Sequence, residues 1–208
     1  MSDSKRPAAH WNSVYRSMAS TGLSWFQAEP TSSLDLIASA GTRAGAAVLD
    51  IGGGTSFLAG RLLALGYRVG VMDISEVALD QSRARLGTEA AVVEWIHADV
   101  LNFVSRHPWD VWHDRAVFHF LTDQRDRLAY KATLLRTIAL DGVAVIATFG
   151  PNAPERCSGL PTARYSPDAL AQELGDDLVL IADHLELHRT PRGATQEFVW
   201  CAFRRAAA

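Results

Sequence analysis

The stretch Val48-Leu49-Asp50-Ile51-Gly52-Gly53-Gly54-Thr55-Ser56, followed by Met72-Asp73-Ile74-Ser75, decides how this chain folds. An apolar run ends in an acid and three glycines, and a helical segment opens at once. A second acid closes the next apolar run about 20 residues on, the layout of a βαβ unit whose first turn faces a nucleotide-like cofactor. A dinucleotide turn needs a small third residue so that helix and strand pack closely, and Phe57 occupies that place. A P-loop needs Lys after its glycines, and none is present. What remains is Asp-x-Gly-x-Gly, with the acid inside the strand end, badly placed for a phosphate and well placed for a cation. The plain alternative is a tight strand-to-helix turn and nothing more.

Outward from this turn, short apolar runs alternate with amphipathic segments, the pattern of a parallel sheet covered on both faces. Strands are expected at Ala47–Ile51, Arg68–Met72, Ala91–His97, Asp110–Asp114, Val143–Phe149, Val179–Leu187 and Glu197–Phe203. Helices fit at Ser56–Leu65, Ser75–Leu86 and Thr122–Ala139, with a short irregular piece near Val100–Ser105 and Ser75 as an N-cap. Thr190-Pro191-Arg192-Gly193 suits a hairpin between the last two strands, which puts an antiparallel strand into the sheet. The trailing Ala206 to Ala208 are expected to fray.

The 208 residues are within the usual size of one domain. A formal charge of −3 provides no overall basic field, so no nucleic-acid partner is expected. No apolar segment approaches the length of a membrane span and the N-terminus has no signal-like apolar region, so the default is a cytoplasmic protein without a membrane partner. The two cysteines, Cys157 and Cys201, have no metal-binding spacing; reduced thiols and no metal are expected.

On the substrate side, Trp109 to Leu121 packs His113, Asp114, Arg115 and His119 among aromatics at the end of a strand that should adjoin the glycine turn. Chemistry in open α/β sheets sits beyond the carboxyl ends of the strands. His113, Asp114 and His119 are therefore the candidate base and its orienting partners, and Arg115 faces substrate or buttresses the sheet. The competing reading is a buried, hydrogen-bonded ion cluster. The Pro- and Gly-rich loop from Phe149 to Tyr165 should border the pocket and bring Cys157 to it. Trp11, Val14 and Tyr15 share a helical face, and Trp25-Phe26 provides an apolar anchor. This segment either folds over the site or simply pads the sheet.

Asp50-x-Gly52-x-Gly54 resembles motif I of the class I S-adenosylmethionine (SAM) dependent methyltransferases, and the rest of the chain follows suit. Trp11-x-x-x-Tyr15, Trp25-Phe26, Leu49 to Ser56, and Gly66-Tyr67 before Asp73-Ile74-Ser75 look closest to the methyltransferase-like branch that includes elongation-factor lysine methyltransferases. The resemblance implies an α/β, single-domain, Rossmann-like fold: a seven-stranded, mostly parallel sheet with helices on both faces and a C-terminal antiparallel hairpin. Residues 1–45 would form a helical cap over the site and 46–208 the SAM-binding core. Asp50, Gly52, Gly53 and Gly54 would hold the methionine end of SAM, the product being S-adenosylhomocysteine (SAH). Asp73 and Ile74 would serve the ribose, unless Asp73 is only a helix cap. Asp99 and Val100 would serve the adenine, unless Asp99 is a solvated loop acid. Trp11, Tyr15, Trp25, Arg115 and Cys157 are the substrate-side candidates.

The His113-Asp114-Arg115 run and the Cys157 loop depart from the lysine-enzyme pattern, and no Asn/Asp-Pro-Pro-aromatic motif of adenine and glutamine methylation is present. The expected acceptor is a small-molecule nucleophile, with a thiol, sulfide or related chalcogen compound foremost. A protein lysine is the alternative, and a non-catalytic SAM-binding protein the third reading; an acid at each cofactor position argues against the last. An open acidic groove near Asp114 would favour lysine and a closed pocket a small molecule. The oligomeric state stays open.

Overall fold

A computed structural model describes residues 5–43 and 45–206; the expectation of fraying at Ala207 and Ala208 and the first residues of the proposed cap lie outside them. The chain opens with α1 (Lys5–Ser17) and α2 (Thr31–Ser39) and then enters the alternating part. There β1 (Ala47–Ile51), α3 (Leu58–Ala64), β2 (Arg68–Asp73), α4 (Glu76–Leu86), β3 (Glu94–His97), β4 (Trp109–Arg115) and α5 (Gln124–Thr137) follow in turn. The chain continues through β5 (Ile138–Phe149), the short ribbon β6 (Arg156–Cys157) and β7 (Leu160–Pro161), α6 (Pro167–Leu174), β8 (Leu178–Arg189) and β9 (Thr195–Arg205).

The main sheet has seven strands in the order β3-β2-β1-β4-β5-β9-β8, and only β9 runs antiparallel to its neighbours. Strand order reverses between β1 and β4, so their carboxyl ends form the crevice in which such sheets bind ligands. The period-2 alternation of β1 shows why both faces carry helices. Val48 packs with Leu36 and Ile37 of α2 and Leu58 and Leu62 of α3. Leu49 and Ile51 point the other way, into a core with Trp112, Tyr130 and Leu134 of α5, and Leu170 and Leu174 of α6.

Several helix starts follow sequence chemistry. Ser75 Oγ accepts from Ala78 N at 3.2 Å and Ser166 Oγ from Ala169 N at 3.2 Å, each satisfying an orphan amide. Asp123 accepts from Arg125 N at 2.8 Å and opens α5. The β8–β9 hairpin turns where expected, with Gly193 at φ 84° and its N–H donating to Thr190 O at 2.9 Å.

The piece near Val100–Ser105 is irregular as expected, Asp99 Oδ1 accepting from Leu101 N at 3.0 Å to close a turn. Other expectations are corrected. Strand β3 starts at Glu94, because Gly87–Val92 coils as a 3₁₀ helix. The loop after β5 contains a two-residue hairpin, Ser158-Gly159, with φ of 49° and 79°, the left-handed geometry that joins β6 to β7. Ala206 is anchored, its N–H donating to Asp177 O at 2.9 Å. No helix among the described residues is long and apolar enough to cross a membrane.

Candidate active site

A cavity of about 300 Å³ opens at the carboxyl ends of β1 and β4. One side is the glycine turn. Gly52 and Gly54 adopt φ of 61° and 51°, which side chains rarely tolerate. A Cβ on Gly52 would collide with Val117, one on Gly53 with Asp50 Oδ2 and Val71, and one on Gly54 with the Tyr15 hydroxyl. The turn's carbonyls are held from α4: Ser82 Oγ donates to Gly54 O at 2.6 Å, and Arg85 Nη1 to Thr55 O at 2.9 Å. Phe57, the residue too large for a dinucleotide turn, carries the Arg85 guanidinium 4.4 Å above its ring.

Asp73, Ile74, Asp99 and Val100 line the next part of the cavity. Asp73 is buried and accepts from Ser75 N at 2.7 Å, while Ser75 itself caps α4. Burial pushes the Asp73 carboxyl up to about 7 against the pull of amides from Ser75 and Gly54, with the Asp50 charge adding to the rise. Two carboxylates facing one cavity, at least one of them strained by burial, make it receptive to hydroxyl donors and a cationic ligand.

Asp50 and His113 are Cα partners across β1 and β4. His113 Nδ1 donates to Asp50 Oδ1 at 2.7 Å, and Nε2 hydrogen-bonds Ser33 Oγ of α2 at 2.9 Å. All three are buried, and both ring nitrogens of His113 are engaged. Ser33 has no local sequence signal, since 80 residues separate it from His113.

Asp114 stands apart from the other candidates. Neighbouring strand residues point to opposite faces, so His113 faces α2 and Asp114 faces α5. Asp114 is fully buried, does not line the cavity, and accepts from Tyr130 Oη (2.6 Å), Val117 N (2.8 Å) and Phe118 N (3.1 Å). Burial raises its carboxyl to about 6 despite these donors. Its geometry is that of a clamp on the turn after β4.

That turn folds the chain back over the cavity. Ala116, at φ 75°, lies in a region that residues other than glycine rarely occupy, and it leads into the Phe118–Phe120 turn. Arg115 and His119 thereby both line the cavity and flank Phe198 of β9: the guanidinium carbon is 4.9 Å from that ring's centroid, the imidazole 6.4 Å. Arg115 Nη1 donates to Trp25 O at 2.7 Å. His119 Nδ1 accepts from Phe149 N at 3.3 Å, so the neutral ring carries its proton on Nε2. Burial, and secondarily the Arg115 charge, push the His119 imidazole down to about 3.

Cys157 reaches the cavity from the β6–β7 ribbon, and burial pushes its thiol pKa up, away from the reactive thiolate. Trp11, Tyr15 and Trp25 line the cavity opposite, Trp11 packing edge-on against Trp25 at 5.9 Å and Phe120 at 5.1 Å. Helix α1 is tied to α4 by Asn12 Oδ1, which accepts from Ser75 Oγ at 2.7 Å, and by Gln81 Nε2, which donates to Tyr15 O at 3.0 Å. Sequence reasoning missed Ser33, Gln196 and Phe198, all of which line the cavity.

Residues 48–140 match a family model described as a methyltransferase domain. Among solved structures, one studied for the conversion of a disulfide bond into a thioacetal group during echinomycin biosynthesis superposes with a TM-score of 0.77. It is 21% identical, over 96% of this chain and 91% of that one. The Burkholderia thailandensis 1,6-didemethyltoxoflavin-N1-methyltransferase, solved with 1,6-didemethyltoxoflavin and SAH, gives 0.73 at 19% identity, covering 100% and 92%. The N-methyltransferase NodS from Bradyrhizobium japonicum gives 0.69 at 18%, covering 85% and 94%. No curated protein matches the chain by sequence.

Proposed function

We propose that this SAM-dependent methyltransferase of the class I fold transfers the methyl group to a small-molecule nucleophile, with a thiol, sulfide or related chalcogen compound as the expected kind. The observation that carries the reading is the single cavity that joins the glycine turn and its two acids to a wall of Trp11, Trp25, Phe120, Phe149 and Phe198. An aromatic-lined cavity of this kind suits a small ligand better than a lysine on a protein surface. The neighbouring toxoflavin enzyme, bound to a small heterocycle, is consistent with it.

The residues fit the cofactor. Gly52 to Gly54 leave room that a Cβ would fill, Asp50 and Asp73 offer carboxylates, and Ile74, Asp99 and Val100 complete the adenosine side. When bound, SAM supplies an electrophilic methyl group on a sulfonium. Asp50, held by His113, orients the positively charged end, and Asp73 accepts the ribose hydroxyls. The aromatic wall excludes water and aligns the acceptor for in-line attack. The N-terminal segment, expected as residues 1–45, serves as a cap over the core 46–208 through α1 and Trp25. Free Cys157 and Cys201 suit a cytoplasmic setting, where thiols stay reduced.

Methyl-labelled SAM incubated with the protein and a cell extract tests the assignment. Label is expected in the small-molecule fraction; label in protein would instead support the lysine reading, which the elongation-factor branch resemblance brings with it. SAM binding without any transfer would favour a non-catalytic protein.

A further inference from the structure

The acceptor half of the cavity holds a buried guanidinium whose N–H donors are only partly satisfied among the described residues. Arg115 Nε and Nη2 are enclosed and have no hydrogen-bond partner, and His119 Nε2 is likewise buried and unpartnered. Among the described residues Arg115 makes no ion pair. Glu186 and Asp50 oppose its charge without bonding to it: Glu186 accepts from Gln27 Nε2 at 2.7 Å and Trp200 Nε1 at 2.6 Å, and Asp50 from His113. Burying a guanidinium without a partner is costly, and orphaned N–H donors add to that cost, so a ligand that satisfies them binds with a large advantage.

Among the described residues, the buried titratable groups around Arg115 and His119 are not free to act as a base. Both nitrogens of His113 are occupied, His119 presents an N–H rather than a lone pair, Asp114 lies on the other face of the sheet, and the Tyr15 hydroxyl is held protonated by burial beside Asp73 and Asp50. Among the described lining residues, the one fully buried acceptor without a partner is Gln196 Oε1, an amide that cannot take up a proton at neutral pH.

Resting on the methyltransferase reading, we infer that the acceptor is an organic anion with an apolar body, bound through Arg115 and His119 Nε2–H and methylated on an acidic group that arrives already deprotonated. Its lone pair forms the new bond to the methyl carbon as the sulfonium carbon–sulfur bond breaks. That electron pair stays on sulfur as the neutral thioether SAH, and no proton moves. The site then has opposite polarity at its two ends: acids face the cationic donor, and Arg115 faces the anionic acceptor. Thiolates and carboxylates share the required chemistry, whereas an ammonium or a neutral amine does not.

The test uses the full chain saturated with SAH and titrated calorimetrically with benzoate, benzamide and benzylammonium, three probes of similar shape and different charge. Benzoate is expected to bind roughly tenfold or more tightly than benzamide, as a charged hydrogen bond implies, and benzylammonium more weakly still. Arg115→Met should bring benzoate to the benzamide level while leaving SAH affinity unchanged. Turnover with benzenethiol and phenylmethanethiol then separates thiolate from carboxylate acceptors, and log kcat/KM should break at each thiol's own pKa. Equal or undetectable binding of benzoate and benzamide, tighter benzylammonium, or one break shared by both thiols overturns the inference, even if Arg115→Met fails to fold. Failure of SAH itself to bind, measured first, would bring down the methyltransferase reading separately.

Discussion

His113 and Asp50 face each other across adjacent strands, and the 2.7 Å bond between their side chains fastens the glycine turn to β4. Because Ser33 occupies the far nitrogen, the imidazole is a buried strut. His113→Ala should lower unfolding free energy by about 1–3 kcal/mol through the two orphaned partners, and should weaken SAM binding as well. Urea melts and calorimetry check this; normal stability with turnover alone impaired would restore His113 as a base.

Asp73 links the apo protein's stability to pH. Its folded carboxyl is raised to about 7 from 3.8, so between those values the folded state holds a proton that the unfolded state has lost. Stability from this group is therefore greatest at low pH and declines as pH rises towards 7. Asp114, raised to about 6, adds to the decline only over the lower part of that range. Asp73→Asn should flatten the slope between about pH 6 and 7 while weakening SAH binding. Urea melts across that interval decide, and an unchanged slope would contradict the assignment.

Tyr130 and Asp114 form a separate unit under the opposite face. Tyr130→Phe removes the 2.6 Å bond to Asp114 and the 2.8 Å acceptor for Trp112 Nε1. A loss of about 1–3 kcal/mol is expected, with SAH affinity unaltered. A fall in SAH affinity larger than the fall in stability would place Asp114 in the active site after all.

Gly54→Ala introduces a Cβ at positive φ and drives it against the Tyr15 hydroxyl. SAH affinity and melting temperature should both fall, by more than the ~1 kcal/mol of backbone strain alone. Removing the hydroxyl with Tyr15→Phe should recover part of the loss in the double variant. Additive effects would show that the two do not meet.

The glycine turn and its flanking strands were legible because their signals are local: an apolar run, an acid, residues without a Cβ, and a capping Ser75. The seven strands and the closing hairpin followed from periodicity for the same reason. Asp114 misled because His113-Asp114-Arg115 is contiguous in sequence, whereas a strand separates such neighbours by a face. Ser33, Gln196 and Phe198 were invisible for the opposite reason. Each is an ordinary polar or aromatic residue until the sheet brings β9 and α2 to the carboxyl end of β4.

Strand β4 carries His113 and Arg115 two residues apart on one face, one bonded to Asp50 beside the glycine turn and the other lining the cavity beside Phe198. On the proposed assignment, donor and acceptor recognition are therefore not separable modules. A strand graft meant to change the acceptor would also disturb the donor turn, so new specificity is more readily built in the Cys157 ribbon, the Phe118–Phe120 turn and the N-terminal aromatics. Those parts can diverge while β4 stays as it is.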